Sequence, residues 1–112
     1  MRSDNPAVTL PDGPWDEAAT LFAALAHPVR LRIVAGLLEG SCCVGDMVDC
    51  LGLPQPVVSK HLGVLREAGV LRSTAEGKLR RYHVCHPLAE LAVALARRAA
   101  DSDSPGKNDR AS

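Results

Sequence analysis

The sequence predicts a mainly α-helical fold with one small β-hairpin, an α+β domain in the order α-α-α-α-β-β-α. Apolar residues recur at helical spacing in five segments. Between the fourth and the fifth, two short segments alternate around a glycine-containing turn, as the strands of a hairpin do. The chain has 112 residues and 3% aromatic residues, so its core must be small and largely aliphatic. We therefore expect it to share buried surface with a second subunit.

The predicted folded domain covers residues 15–100, and the segments on both sides have the composition of disordered tails. Residues 1–14 carry three prolines, and residues 101–112 lack any large apolar side chain. No segment approaches the roughly 18 apolar residues that cross a bilayer, and the N-terminus lacks the pattern of a secretory signal. We expect a cytoplasmic protein without a membrane partner, whose four cysteines are reduced.

Three helices are predicted in the first half of the domain. The first covers residues 15–26, and the second follows the His27-Pro28 dipeptide, because proline suits the first turn of a helix. The third covers residues 43–51 and ends where Gly52 can adopt a left-handed conformation. The predicted core residues of these helices are Leu21, Phe22, Leu25, Val29, Ile33, Val34, Leu37, Leu38, Val44, Met47, Val48 and Leu51.

The fourth predicted helix covers residues 55–68 and follows a three-residue turn that contains glycine. Its two sides differ in polarity, which predicts that one side packs on the core and the other faces outward. The inward residues are Val58, Leu62 and Leu65, and the outward residues are Gln55, Ser59, Lys60, Gly63 and Arg66.

A hairpin and a last helix complete the predicted domain. The strands are expected at residues 70–73 and 79–84, around a turn at residues 74–78. The last helix follows Pro87. Its apolar face consists of Leu88, Leu91, Ala92, Leu95 and Ala99.

Positive charge is concentrated in residues 55–86, where six lysines and arginines stand against two glutamates, a net charge of +4 in a chain that is neutral overall. Two short helices joined by a tight turn, with the second polar outside, suit a major groove roughly 12 Å wide. A protruding cationic hairpin can reach the phosphates beside that groove. The sequence therefore predicts a winged helix-turn-helix that binds double-stranded DNA.

The candidate DNA contacts lie on the fourth helix and the hairpin. Gln55 can pair with adenine, Ser59 can bond a base or a phosphate, and Lys60 can reach guanine or a phosphate. His61 stands at the boundary between the outward and inward sides, and Pro56 restricts the first helical turn. The candidates for phosphate contact on the hairpin are Lys78, Arg80 and Arg81.

Two ordered segments resemble the ArsR/SmtB family of bacterial winged-helix repressors: ALAHPVRLRIVAGLLEGSCCVGDM and LGLPQPVVSKHLGVLREAGVLRSTAEGKLRRYHV. The resemblance covers residues 15–100 and implies a homodimer whose first and last helices pair across the dimer axis. It also implies repression until an inducer, commonly a metal or metalloid ion, weakens DNA binding. Pro54 departs from the family pattern, which usually has a serine or threonine cap there. The residues expected at the dimer interface are Leu21, Leu25, Leu88, Leu91 and Leu95.

Cysteines are the candidate ligands for an inducer. Of the arsenic-type thiolates known in the family only the first is matched, by Cys43, and the zinc-type and cadmium-type positions are unmatched. Cys42 and Cys43 would face one soft ion if the third helix begins just after them, and thiolates favour arsenite, cadmium, lead or mercury. Cys85, His86 or a group of the other subunit would supply a third ligand. Cys50 lies too far along the helix to share an ion with Cys43, so we expect it to be buried.

Three alternatives remain open. A metal site at the end of the hairpin would use His83 and Cys85, which lie on one side of a strand. The thiols could instead respond to oxidants or persulfides. A winged-helix module that binds only other proteins is the third alternative. An enzyme is not expected, because the chain has no glycine-rich phosphate loop, no Ser-His-Asp order and no paired carboxylates beside a plausible cleft.

Overall fold

The computed structural model describes residues 9–40 and 42–111, with side chains as far as residue 101. Within these residues it contains five helices and three strands, which confirms the predicted fold class and adds one strand to the predicted order. In chain order the elements are α1 (Trp15–Leu25), α2 (Pro28–Glu39), β1 (Cys42–Cys43), α3 (Val44–Leu51), α4 (Gln55–Glu67), β2 (Leu71–Glu76), β3 (Leu79–Val84) and α5 (Pro87–Ala111).

β1 is a short strand that the sequence did not predict. It pairs antiparallel with β3, with Cys42 opposite Tyr82 and Cys43 opposite Arg81, so the order of strands in the sheet is β1-β3-β2. The third helix therefore begins at Val44, one residue later than predicted. Two residues are too few to show an alternating pattern, and this strand exists only because β3 offers it a partner.

The hairpin turn is tighter than the predicted five-residue turn. β2 continues to Glu76, which pairs with Leu79 of β3. Only Gly77 and Lys78 remain in the turn, and Gly77 has a φ of 61°, the left-handed conformation that a two-residue turn requires. The last three residues of β2 are all exposed, so no alternation in polarity marks the end of this strand in the sequence.

The core is formed by one side of each helix together with the sheet, and the predicted inward side of α4 is confirmed. Val58, Leu62 and Leu65 are 0%, 1% and 0% exposed. Two predicted core residues, Phe22 and Leu38, are exposed instead. Each of them directly follows a buried leucine, and neighbouring residues of a helix point about 100° apart, so only one of the pair can face the core.

The C-terminal end of the chain differs from the prediction. α5 continues to Ala111, so residues 101–111 are helical where a disordered tail was predicted. Of the predicted N-terminal tail, residues 1–8 lie outside the described residues, and residues 9–14 form neither helix nor strand.

Within the described part of the chain, no single helix is long and apolar enough to cross a membrane. α1 and α2 would meet that requirement only as a pair, and they are bent by 88° relative to each other.

Candidate nucleic-acid interface

α3 and α4 form a helix-turn-helix with a tight turn. α3 ends at Gly52, which has a φ of 68° and donates its N–H back into the helix at 2.9 Å. The carbonyl of Pro54 then accepts hydrogen bonds from the N–H groups of Val57 and Val58, at 3.0 and 3.1 Å. α4 begins at Gln55 as predicted, although Pro54 has no side chain that can cap it. The backbone of the turn thus sets the start of the helix.

One exposed surface of α4, here called the reading surface, carries four of the eight predicted DNA contacts. It consists of Gln55, Pro56, Val57, Ser59 and Lys60, all of them exposed. Val57 was not among the residues predicted to face outward or inward. Its side chain is 40% exposed because it points about 100° away from that of the buried Val58. A valine at this place can contact the methyl group of thymine.

His61 has a different environment from the reading surface. It is only partly exposed, its Nδ1 lies 3.2 Å from Nη1 of Arg30, and its ring centroid is 4.5 Å from that of His27. Burial lowers the pKa of His61, and the neighbouring His27, Arg30 and Lys60 lower this pKa further. The predicted boundary position is therefore occupied by a histidine that already has a partner inside the protein.

The three predicted cations of the hairpin are placed differently. Lys78 is exposed in the turn, and Arg80 donates from Nη1 to Oγ of Ser73 at 3.0 Å. Arg81 donates from Nε to Oε1 of Glu76 at 2.7 Å, and this hydrogen bond raises the pKa of Arg81. Because successive residues of a strand point to opposite faces, the side chains of Arg80 and Arg81 leave the hairpin on opposite sides. Lys78 and Arg80 are the better placed pair for phosphates.

Cys42 and Cys43 do not face a common site, which corrects the predicted arrangement. They form a strand, so their side chains alternate: Cys42 packs against the core, while Sγ of Cys43 donates to Oδ2 of Asp46 at 3.6 Å. Sγ of Cys85 donates to the carbonyl of Gly69 at 3.4 Å. Cys85 also lies three residues beyond the partner of Cys42 in β3, a separation of roughly 10 Å along the strand. Among the described residues no group of three or more potential ligands could hold a metal ion.

Cys42 instead shares a cavity with Cys50. The cavity has a volume of about 430 Å³, lies beside α2, α3 and β1, and is lined also by Asp46, Met47 and Arg97. The prediction that Cys50 is buried was wrong, because it lies near the exposed end of the short α3. Burial raises the pKa of the Cys42 thiol, and the nearby Asp46, Cys43 and Cys50 raise it further.

The predicted dimer residues fall into two groups. Leu88, Leu91 and Leu95 are 43%, 54% and 57% exposed along α5. Leu21 and Leu25 are only 5% and 4% exposed, so they fill the core of the single chain and offer almost no surface to a partner. On α1 the exposed large apolar side chains are Trp15 and Phe22.

An exposed polar helix within a helix-turn-helix, flanked by a cationic hairpin, defines the class of winged helix-turn-helix proteins that bind nucleic acid. Residues 27–73 match the family model described as bacterial regulatory protein, arsR family. The chain is also 40% identical, over 98 residues, to the HTH-type transcriptional regulator CmtR of Mycobacterium tuberculosis. That match covers 83% of this chain and 81% of CmtR. The protein belongs to the ArsR family.

Two further comparisons concern function and assembly. The HTH-type transcriptional repressor SmtB of Mycobacterium tuberculosis is 43% identical over 79 residues, which are 70% of this chain but only 58% of SmtB. A homodimeric winged helix-turn-helix DNA-binding domain from Mycobacterium bovis, a possible ArsR-family transcriptional regulator, superimposes with a TM-score of 0.70 at 26% identity. This match covers 78% of this chain and 81% of the M. bovis chain.

Proposed function

We propose that the protein is a homodimeric repressor of transcription that binds double-stranded operator DNA in the cytoplasm. The observation that carries this proposal is the reading surface. The opposite side of α4 is at most 1% exposed, so the core fixes the helix while its polar side faces outward. The names of SmtB and of the homodimeric M. bovis domain support repression, DNA binding and dimerisation. The proposal involves no enzymatic step.

The side chains of the reading surface have distinct expected roles in the major groove. Gln55 would pair with adenine, Ser59 would bond a base or a phosphate, and Lys60 would bond guanine or a phosphate. Val57 would contact a thymine methyl group. These contacts would select the sequence of the operator.

The hairpin would add affinity without sequence preference. Lys78 and Arg80 would bind phosphates beside the groove. Arg81 would do so only by exchanging its hydrogen bond to Glu76 for one to a phosphate. We therefore expect Arg81 to contribute less than Arg80.

Operator binding tests the reading surface directly. An inverted-repeat operator can be selected from random-sequence DNA with the purified protein, and its affinity measured by fluorescence anisotropy. Lys60→Ala should weaken specific binding by roughly tenfold or more, because a good base contact contributes on the order of 1–3 kcal/mol. Ser59→Ala should weaken it less. Arg98→Ala, which removes an exposed cation of α5, is the matched control and should bind normally.

The outcome that contradicts the assignment is clear. If Lys60→Ala and Ser59→Ala both bind the operator like the wild type, with the dimer intact, α4 does not read the DNA. For the hairpin, Arg80→Ala should reduce the slope of log affinity against log salt concentration by about one. Arg81→Ala should reduce it by less.

The dimer interface proposed for this chain combines α5 with the exposed side of α1. Leu88, Leu91 and Leu95 form an exposed apolar row on α5, the kind of surface that a partner subunit covers. Phe22, with 57% of its surface exposed, takes the place that was predicted for the buried Leu21 and Leu25. A twofold axis beside these helices would cover the two apolar surfaces together.

The proposed inducer is a soft metal or metalloid ion, such as arsenite, cadmium, lead or mercury. Thiolates are its natural ligands. Cys42 and Cys50 line one cavity. They are therefore a better candidate pair of ligands than the predicted set of Cys42, Cys43 and Cys85. Because Cys42 belongs to β1 and Cys50 to α3, an ion that draws the two together would move α3 against α4 and shift the reading surface.

Release of a labelled operator tests this inducer. Arsenite, cadmium, lead and mercury would be titrated separately into the complex, and thiolate-to-metal absorption would report binding. Cys42→Ser and Cys50→Ser should each bind the operator but resist release, while Cys85→Ser, the matched control, should respond like the wild type. A response lost only in Cys85→Ser would identify the end of the hairpin as the sensor. A wild type that ignores all four ions but is released by mild oxidation would identify a thiol redox switch.

A further inference from the structure

Arg30 connects three helices at the back of the reading surface. It lies on α2, and its Nε donates to the carbonyl of Ala24 at 2.5 Å while its Nη2 donates to that of Ala23 at 3.4 Å. Both carbonyls belong to the last turn of α1, where a cation is favoured by the helix dipole. The Nη1 of the same guanidinium lies 3.2 Å from Nδ1 of His61 on α4. A single side chain thus joins the end of α1 and the middle of α4 to α2.

The contact between Arg30 and His61 requires one protonation state of the histidine. A guanidinium can only donate hydrogen bonds, so Nδ1 of His61 must accept, and the imidazole must be neutral with its proton on Nε2. His27 beside it is constrained in the same way, because its Nδ1 accepts the N–H of Val29 at 3.1 Å. Protonation of Nδ1 of His61 would change this nitrogen from an acceptor to a second donor, which would then face the guanidinium cation.

We propose that Arg30 is a positioning residue for operator binding, which holds α4 at the angle needed for the major groove through its contact with neutral His61. The inference deepens the proposed function and rests on α4 being the DNA-reading helix. Ser59 and Lys60 immediately precede His61, so a shift of the helix at this point moves both of them. Loss of the contact should therefore weaken operator binding without removing any group that touches DNA.

The charges around His61 determine the direction of its pH dependence. Arg30 and His27 face it from α2, Lys60 precedes it on α4, and α1 contributes only carbonyl groups. Glu67 lines a neighbouring cavity together with Arg30 and is the acidic residue on that side of α4. Burial and the cationic neighbours favour the neutral imidazole, so the contact is complete above the usual histidine pKa of about 6.5 and is lost as the pH falls through the lower pKa of the folded protein.

This direction separates positioning from a direct DNA contact. If His61 bound a phosphate, protonation would add a cation to the interface and acid would strengthen operator binding. If Arg30 positions α4 through neutral His61, acid weakens specific binding relative to binding of unrelated DNA. The comparison with unrelated DNA corrects for the general gain in positive charge that any protein undergoes at low pH.

The test is a pH titration of operator affinity with the full chain, from about pH 8 to about pH 5. Wild type should lose roughly tenfold in specific affinity over this range. His61→Asn keeps an acceptor near the place of Nδ1 but does not titrate, so it should bind like the wild type at high pH and lose most of the pH dependence. Arg30→Gln should bind about tenfold more weakly at high pH and should also lose most of the pH dependence.

Two controls keep the test decisive. His86→Asn changes a histidine that precedes α5 and accepts the N–H of Leu88, so it should reproduce the wild-type profile. Arg30→Lys keeps the charge but not the forked donors, and it serves if Arg30→Gln fails to fold, as judged by circular dichroism; it should lose most of the pH dependence. NMR of the histidine ring without DNA supplies a second readout, in which Arg30→Gln should shift the titration of His61.

Several results would overturn the inference. Operator binding that is unchanged or strengthened by acid in the wild type would do so, and so would a His61→Asn variant that keeps the wild-type profile. Failure of the wild type to bind any selected DNA at high pH would be a different result, because it would remove the repressor proposal itself and the positioning role with it.

Discussion

Two helices of this protein start in the same way. α2 begins at the dipeptide His27-Pro28 and α5 at His86-Pro87. In both, Nδ1 of the histidine accepts the N–H of the residue two positions later, at 3.1 Å, and the proline occupies the first helical position. An imidazole can cap a helix in this manner only when it is neutral. The local chemistry of the two helix starts is therefore identical.

Their surroundings differ. The ring of His27 lies 4.5 Å from that of His61, and Arg30 in the first turn of α2 bonds both α1 and α4. His86 follows the hairpin and leads into the exposed apolar row of α5, which contains Leu91. One start thus supports the helix proposed to read DNA, and the other supports the helix proposed for dimerisation. The same cap acquires its importance from the element that packs beside it.

The largest effect on operator binding is expected from a change in α5, the helix that begins at Pro87. Leu91→Glu should convert the dimer to monomers, because a carboxylate would be buried at the interface without a partner. The side chain is 54% exposed in the single chain, so the monomer should still fold. Operator affinity should fall by roughly a hundredfold or more, since only one reading surface remains on each molecule. Light scattering measures the oligomeric state, and fluorescence anisotropy measures the operator affinity. Glu90→Gln is the control on the same helix. A dimeric Leu91→Glu variant would move the interface elsewhere.

A smaller effect distinguishes the two starts directly. His27→Ala and His86→Ala should each lower the free energy of unfolding by about 1 kcal/mol, the usual cost of removing a helix cap, as measured by urea denaturation. Only His27→Ala should also weaken operator binding, by several-fold, because it alone disturbs the neighbourhood of His61. Equal loss of operator affinity in the two variants would show that the location of His27 beside α4 has no effect on operator binding.

The smallest expected effect comes from the prolines. Pro28→Ala and Pro87→Ala should each lower the free energy of unfolding by roughly 0.4–1 kcal/mol, chiefly because the unfolded chain gains conformational freedom. Operator affinity should be unchanged in both variants, since a proline side chain has no polar atom that could bond α4. A change in affinity for Pro28→Ala alone would mean that the direction of α2 itself depends on the proline.

The stability of the protein should depend on pH through the same histidine. Because the pKa of His61 is lowered in the folded state, unfolding takes up protons there, and the stabilisation that is present above the usual histidine pKa decreases as the pH falls. His61→Asn should lose less of its unfolding free energy than the wild type between about pH 7 and pH 5. Identical pH profiles of stability would show that His61 titrates alike in the folded and unfolded chains.

Sequence analysis was most successful where local rules decide the structure. The inward side of α4, at Val58, Leu62 and Leu65, follows from helical periodicity, and the start of α4 at Gln55 follows from the turn before it. The fold class and the family follow from the order of such elements. Phe22 was wrongly predicted to be buried, because it stands next to Leu21 and two neighbouring apolar residues compete for the core. Periodicity alone does not identify which of two adjacent residues is buried.

The thiols illustrate a second kind of failure. The spacing of Cys42 and Cys43 suggested a common site, but pairing with β3 turns their side chains to opposite faces. The cavity shared by Cys42 and Cys50 depends on how β1 and α3 lie beside α2. Neither arrangement has a signal in the chain itself, because both arise from contacts between elements.

The sequence by itself determined where α2 and α5 start, where α3 stops and which side of α4 faces the core, because caps, prolines, glycines and helical periodicity act within a few residues. The tertiary structure alone decided that His61 meets Arg30, a residue 31 positions away in the chain, and that Leu21 and Leu25 are too buried in the single chain to offer a surface to a partner. Such contacts depend on the packing of whole helices against one another. For that reason the role of a histidine in this protein is set by its neighbours in space.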